Sequence, residues 1–145
     1  MKCFLSPLPI IFLFSCQQAA TPAQKAVPDQ QSKDCIAHAI ALDDSLGKAR
    51  NHACEAIGLS ETIRQYATGM GKINHQNCPA AFTEAFKKHR EAWLALIPIT
   101  DQYPELRGEM HDLFKQIEAG EHAAQFKPLV KTVWDTWAEV EAAMK

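Results

Sequence analysis

The chain carries no excess of charge of either sign. Fifteen Lys and Arg stand against seventeen Asp and Glu, interspersed along its 145 residues, so it has no basic field to hold a phosphate backbone and nucleic acid is not an expected partner. It also lacks any run of alternating apolar and polar residues long enough for a strand. Several sequence signatures of chemistry are missing: CxxCH for covalent haem, HExxH, paired CxxC, a glycine-rich phosphate loop and GxSxG. None of the six histidines has a glutamate three residues before it; those positions hold Cys35, Ala49, Lys72, Phe86, Gly108 and Ala119. That excludes the Glu-x-x-His pattern of di-iron bundles. No apolar run reaches the roughly 20 residues of a membrane-crossing helix.

What is present begins with MKCFLSPLPIIFLFSCQQ. Lys2, an apolar stretch from Phe4 to Phe14 and the small Ser15 make the three parts of an export signal. Leu13, Phe14, Ser15 and Cys16 resemble the lipobox of bacterial lipoproteins, with leucine three positions before the cysteine and a small residue just before it. The resemblance implies cleavage between Ser15 and Cys16, a diacylglyceryl group on Cys16 Sγ and attachment to the cell envelope. Gln17 after the cysteine is similar to the pattern of outer-membrane sorting, on the periplasmic face, in enterobacteria. Each buried CH₂ is worth ~0.8 kcal/mol, so two or three acyl chains hold a protein stably where one does not. No other cofactor is expected.

Residues 16–32 contain no aromatic residue and include Pro22 and Pro28; they read as a flexible tether that cannot bury enough surface to fold. Residues 33–145 then form a single domain, with 1–15 as the signal peptide. The expected fold class is all-α, a small up-and-down bundle of three to four amphipathic helices.

Leu42, Leu46, Ala49, Ala53, Ala56, Ser60, Ile63, Ala67 and Met70 follow steps of four and three, a heptad seam on one long helix. Its small residues, with Gly47, Gly58 and Gly69, fit either a partner's docking groove or a thin side packed against the protein's own helices. Asp43-Asp44-Ser45 offers an alternative, a fresh N-cap and a short separate helix before it. In the segment CPAAFTEAFKKHREAWLALIP, Cys78 falls at the expected N-cap, Pro79 at the first helical position, and Pro98 at the end. Phe82, Ala85, Phe86, His89, Trp93 and Leu96 make its apolar face. A third helix is expected over Pro104–Glu118, stopped by Gly120, and a fourth from near Pro128, carrying Leu129, Val130, Val133, Trp137, Val140 and Met144 on one face with Trp134 at its flank.

His89 lies in the middle of an apolar stripe. Neutral imidazole in a bundle can hold haem iron or a metal, with Met70, Met110 or Met144 as partner; a buried histidine hydrogen-bonded to its neighbours is the commoner arrangement. Cys35 and His38, three apart, are too few to make a metal site. Cys78 at a helix start, three after His75, would be an activated nucleophile if its thiol were free.

With Cys3 removed and Cys16 lipidated, the domain keeps Cys35, Cys54 and Cys78. On one continuous helix Cys35 and Cys54 would lie about 28 Å apart, beyond bridging distance. A turn at Asp43–Ser45 would bring them level, so the first expectation is a Cys35–Cys54 disulfide in a hairpin and the second is Cys54–Cys78. The expected role is a lipid-anchored, non-catalytic binding or assembly module facing an envelope protein or cell-wall component. The alternatives are a periplasmic haem or metal carrier built on His89, and an enzyme built on Cys78.

Overall fold

A computed structural model describes residues 29–145. The expected signal peptide and its cleavage point, the expected lipid site Cys16 and the expected tether up to residue 28 lie outside the described residues. Within them the fold is all-α, as expected, with no strand.

Helix α1 (Gln30–Ala56) starts inside the stretch read as tether because Asp29 caps it, its carboxylate accepting the Ser32 amide at 2.8 Å. It runs without interruption through Asp43–Ser45. Asp43 does not cap a helix here: it is buried, and its Oδ1 accepts the Tyr66 hydroxyl at 2.8 Å. The chain breaks instead at Ile57–Gly58, and helix α2 (Leu59–Met70) returns antiparallel to α1, with Leu46 against Gly69.

The break has a long-range cause. Residues 104–108 cross the α1–α2 corner, where the Leu106 carbonyl accepts the Leu59 amide at 3.0 Å and the Gly108 amide donates to the Cys54 carbonyl at 2.9 Å. A Cβ on Gly58 would sit 2.9 Å from the Pro104 carbonyl oxygen, and Gly108 has φ +142°, so both positions require glycine.

Helix α3 (Ala80–Ala95) follows, capped by Pro79, with Cys78 just outside it. A single turn, α4 (Ile97–Thr100), carries Pro98 near its start, where a missing N–H costs little. The third expected helix is shorter than Pro104–Glu118. Helix α5 (Met110–Glu118) begins where Glu109 accepts the Asp112 amide, because residues 104–108 are engaged at the corner. Helix α6 (Ala123–Ala143) begins more than a turn before Pro128. Packing extends it: Phe126 is fully buried, its ring 5.3 Å from that of Phe114 in edge-to-face contact.

α3 is the centre. It packs along α2 on one side and, most extensively, antiparallel to α6 on the other. Phe82, Phe86, Ile63, Leu113, Ile117 and Phe126 form the middle of the core. On α1 the heptad seam is displaced by one residue, about 100° of helix. Leu42 is exposed, while Ile36, Ala39, Asp43 and Cys54 are buried. On α2 Ser60, Ile63, Ala67 and Met70 are buried as the seam requires.

The disulfide is neither expected pair. Cys35 on α1 bonds to Cys78 at the head of α3, their Cα atoms 5.2 Å apart, and Cys54 is a free, buried thiol. Because α1 does not turn at Asp43, Cys35 stays more than five turns from Cys54. The hairpin at Gly58 then carries residues 71–78 back to the start of α1.

A cross-link spanning 43 residues restricts the unfolded chain by about 4 kcal/mol in the chain-entropy account. Cys35→Ser, Cys78→Ser and the double variant should each lose roughly 2–4 kcal/mol in urea unfolding, the double no more than either single. Reductant should destabilise the wild type and Cys54→Ala to the same degree and leave the other three unmoved. An additive double variant would contradict this pairing.

Candidate functional site

α1 packs chiefly on α2 and leans away from α6. The space between them is an open cleft of about 360 Å³, within the range of small-ligand sites. Ile40, Asp43, Gly47 and Arg50 of α1 form one wall, and Val133, Trp134 and Trp137 of α6 form the other. Tyr66 of α2 with His89 and Trp93 of α3 make the floor. Trp134 is 54% exposed at the mouth, the largest exposed apolar side chain among the described residues beside Leu42.

The floor is built from His89 outward. The Trp93 indole N–H, one helical turn on, donates to His89 Nε2 at 3.1 Å, and His89 Nδ1 lies 3.1 Å from Thr136 Oγ1 on α6. An indole can only donate, so Nε2 accepts and Nδ1 carries the proton. The Thr136 hydroxyl in turn donates to the carbonyls of Thr132 and Val133 at 2.8 and 3.0 Å. Each buried polar atom in the chain from indole to carbonyl is thereby satisfied. Burial, reinforced by the nearby Arg50 charge, pushes the imidazole pKa down to about 4.

Trp93, fixed in this way, meets Tyr66 edge-to-face at 5.2 Å between ring centres. The Arg50 guanidinium lies over both rings, 4.5 Å from the centre of Tyr66 and 4.3 Å from that of Trp93, a cation–π arrangement worth about 0.5–2 kcal/mol. Burial pushes the Asp43 carboxyl up, against the opposing Tyr66 hydrogen bond, and pushes the Tyr66 phenol well above its ordinary value.

The sequence-derived candidates separate here. His89 reaches the cleft, but both ring nitrogens are engaged, and ligation through Nε2 would cost the Trp93 hydrogen bond. Met70 and Met110 lie in the core and Met144 is partly buried beyond the cleft; none lines it with His89. No group of three or more His, Cys, Asp or Glu among the described residues is placed to hold a metal ion. Cys78 Sγ is bonded to Cys35, so the sulfur is not a thiolate, and His75 packs against Phe82 and Phe86 with its Nε2 buried and unpartnered. Burial also raises the pKa of the Cys54 thiol.

Arg50 and Tyr66 were not singled out by the motifs, and Asp43 was singled out only as a helix cap. Their signal is the line Ile36, Ala39, Asp43, Arg50, Cys54, an inward face on α1 interrupted by two charges seven residues apart. Two other depressions offer less. One, around Gln31, Asp34, His38 and Asn74, has no aromatic lining. In the other, Asp101 is already held by the Ser60 hydroxyl and by Arg64.

A group whose folded pKa is depressed contributes stability that is complete above its unfolded value and lost as the pH falls toward the folded one. For His89 that window runs from about 6.5 to about 4. The wild type should be about 2 kcal/mol less stable at pH 5 than at pH 7.5 from this group alone. His75, also lowered by burial, adds in the same direction. His89→Gln should show a visibly shallower loss between those two urea curves. An unchanged slope would mean that His89 takes up a second proton as readily in the fold as in the unfolded chain.

Comparison of the chain with protein-family models, with curated proteins and with solved structures returns no match.

Proposed function

We propose that the protein is a lipid-anchored module of the bacterial cell envelope that works by binding, with the α1–α6 cleft as its binding site and no catalytic step. The observation that carries the binding reading is the cleft itself. It is open to solvent between two helices that do not close on each other, floored by fixed aromatic rings and edged by exposed Trp134. Clefts of this kind, apolar with a few placed polar groups, are the usual form of a binding site. The anchoring part rests on Leu13–Cys16 and on the run without aromatic residues that follows. Such an anchor and tether would hold the module near an envelope protein or cell-wall component on the periplasmic face of the outer membrane.

Anchor and module can be tested separately. Full-length protein extracted from envelopes in mild detergent should carry a co-purifying component that is lost in Trp134→Ala, while detergent partitioning of that variant stays unchanged. Cys16→Ser should do the reverse: its mature amino terminus loses the acyl mass and leaves the detergent phase, and the component is retained. Acyl mass retained in Cys16→Ser would refute lipid attachment at this residue. A component indifferent to Trp134 would refute the cleft as the binding site.

A further inference from the structure

We propose that the cleft binds a carboxylate carried on a flat apolar body, with the Arg50 guanidinium as its anchor. This rests on the reading of the cleft as a binding site and names what enters it.

Arg50 is a half-buried cation with no carboxylate in direct contact; Asp43 attracts it only across a gap. No carboxylate lies within 4.0 Å of its guanidinium among the described residues. Its Nε and Nη2 share one neutral acceptor, Asn51 Oδ1, at 3.2 and 3.1 Å, and Nη1 donates to no protein group. Burial disfavours its charged form, against the opposing pull of the Tyr66 oxygen and Asp43. A planar fork with unused donors, clamped against two rings and facing a cavity, suits the paired oxygens of a carboxylate.

The other charged groups around the cleft do not supply that anion. Asp44 is paired with Lys48 at 2.7 Å on the rim. Asp43 Oδ1 is committed to the Tyr66 hydroxyl and makes no ion pair with the guanidinium, which it favours only from beyond contact. His89 is neutral, with both nitrogens used.

A cationic ligand fits poorly. The ring faces that would make an aromatic cage, those of Tyr66 and Trp93, already hold the guanidinium, which would also repel a second positive charge. What remains unoccupied is Trp134 and Trp137 on the opposite wall, surface for a flat apolar group.

Three ligands with one ring system separate the possibilities: indole-3-acetate, indole-3-acetamide and tryptamine. Each is titrated into full-length protein labelled with ¹⁵N, and the indole N–H signals of Trp93, Trp134 and Trp137 are followed. Indole-3-acetate should shift the Trp134 and Trp137 signals saturably and bind at least tenfold more tightly than the amide. Arg50→Gln should erase that tenfold difference, and Arg50→Lys should retain only part of it. Equal affinity for acid and amide, or tighter binding of tryptamine, would overturn the carboxylate assignment and leave the cleft standing as a binding site. No movement of the Trp134 and Trp137 signals with any of the three would overturn both. The wild-type comparison decides even if the Arg50 variants do not fold.

Discussion

The hydrogen bond from the Trp93 indole to His89 sets the geometry on which the cleft depends. An indole ring on a helix can turn about two side-chain bonds, and its plane here is fixed by a single donor directed at a single acceptor one turn away. His89 can be that acceptor only while it is neutral and its other nitrogen is held by Thr136 on α6. The contact between α3 and α6 therefore does more than bury apolar surface. It orients a ring whose outer face becomes the floor between α1 and α6. Arg50 and Tyr66 are then placed by that ring, one across its face and the other at its edge.

The helices were legible because each buries a face whose periodicity is written locally. Phe82, Phe86, His89 and Trp93 recur at helical spacing on α3, and all four are buried. The end points were not legible, because neighbours in space set them. Gly58 breaks the long helix where a loop nearly fifty residues later crosses it, and Phe126 draws α6 back past Pro128 to reach Phe114. The cysteine pairing failed for the same reason. The first expected pair, Cys35–Cys54, needs a turn at Asp43–Ser45, residues that cap well in isolation, whereas Asp43 is used from mid-helix as the acceptor for a tyrosine on another helix.

The cleft was hidden by an error of one residue. The heptad line through Leu42, Ala49 and Ala53 is regular, and regularity in small apolar residues reads as an inward seam. The face that actually turns inward runs through Asp43, Arg50 and Cys54, next to it around the helix. An apolar count penalises that face for its two charges, though those charges are what give the site its chemistry. Charged residues at helical spacing within an otherwise inward stripe are the better indicator of a lined cleft.

Asp43 and Arg50 also explain why the cleft stays open. Seven residues apart, they lie on one side of α1 about 10.5 Å apart along its axis; they attract each other but form no ion pair, and Tyr66 contacts both. Each has found a neutral partner instead: the carboxylate a phenol, the guanidinium two ring faces and an amide oxygen. Closing α6 onto α1 would strip the remaining water from the half-buried Arg50 without bringing Asp43, already buried, into contact with it, and the desolvation penalty is several kcal/mol per ion. Apolar side chains at both positions would remove that penalty and let the helices meet. The charges thus act against the closure that the surrounding aromatic surface would otherwise favour, and a bound anion beside Arg50 is the change that offsets the penalty at one of them.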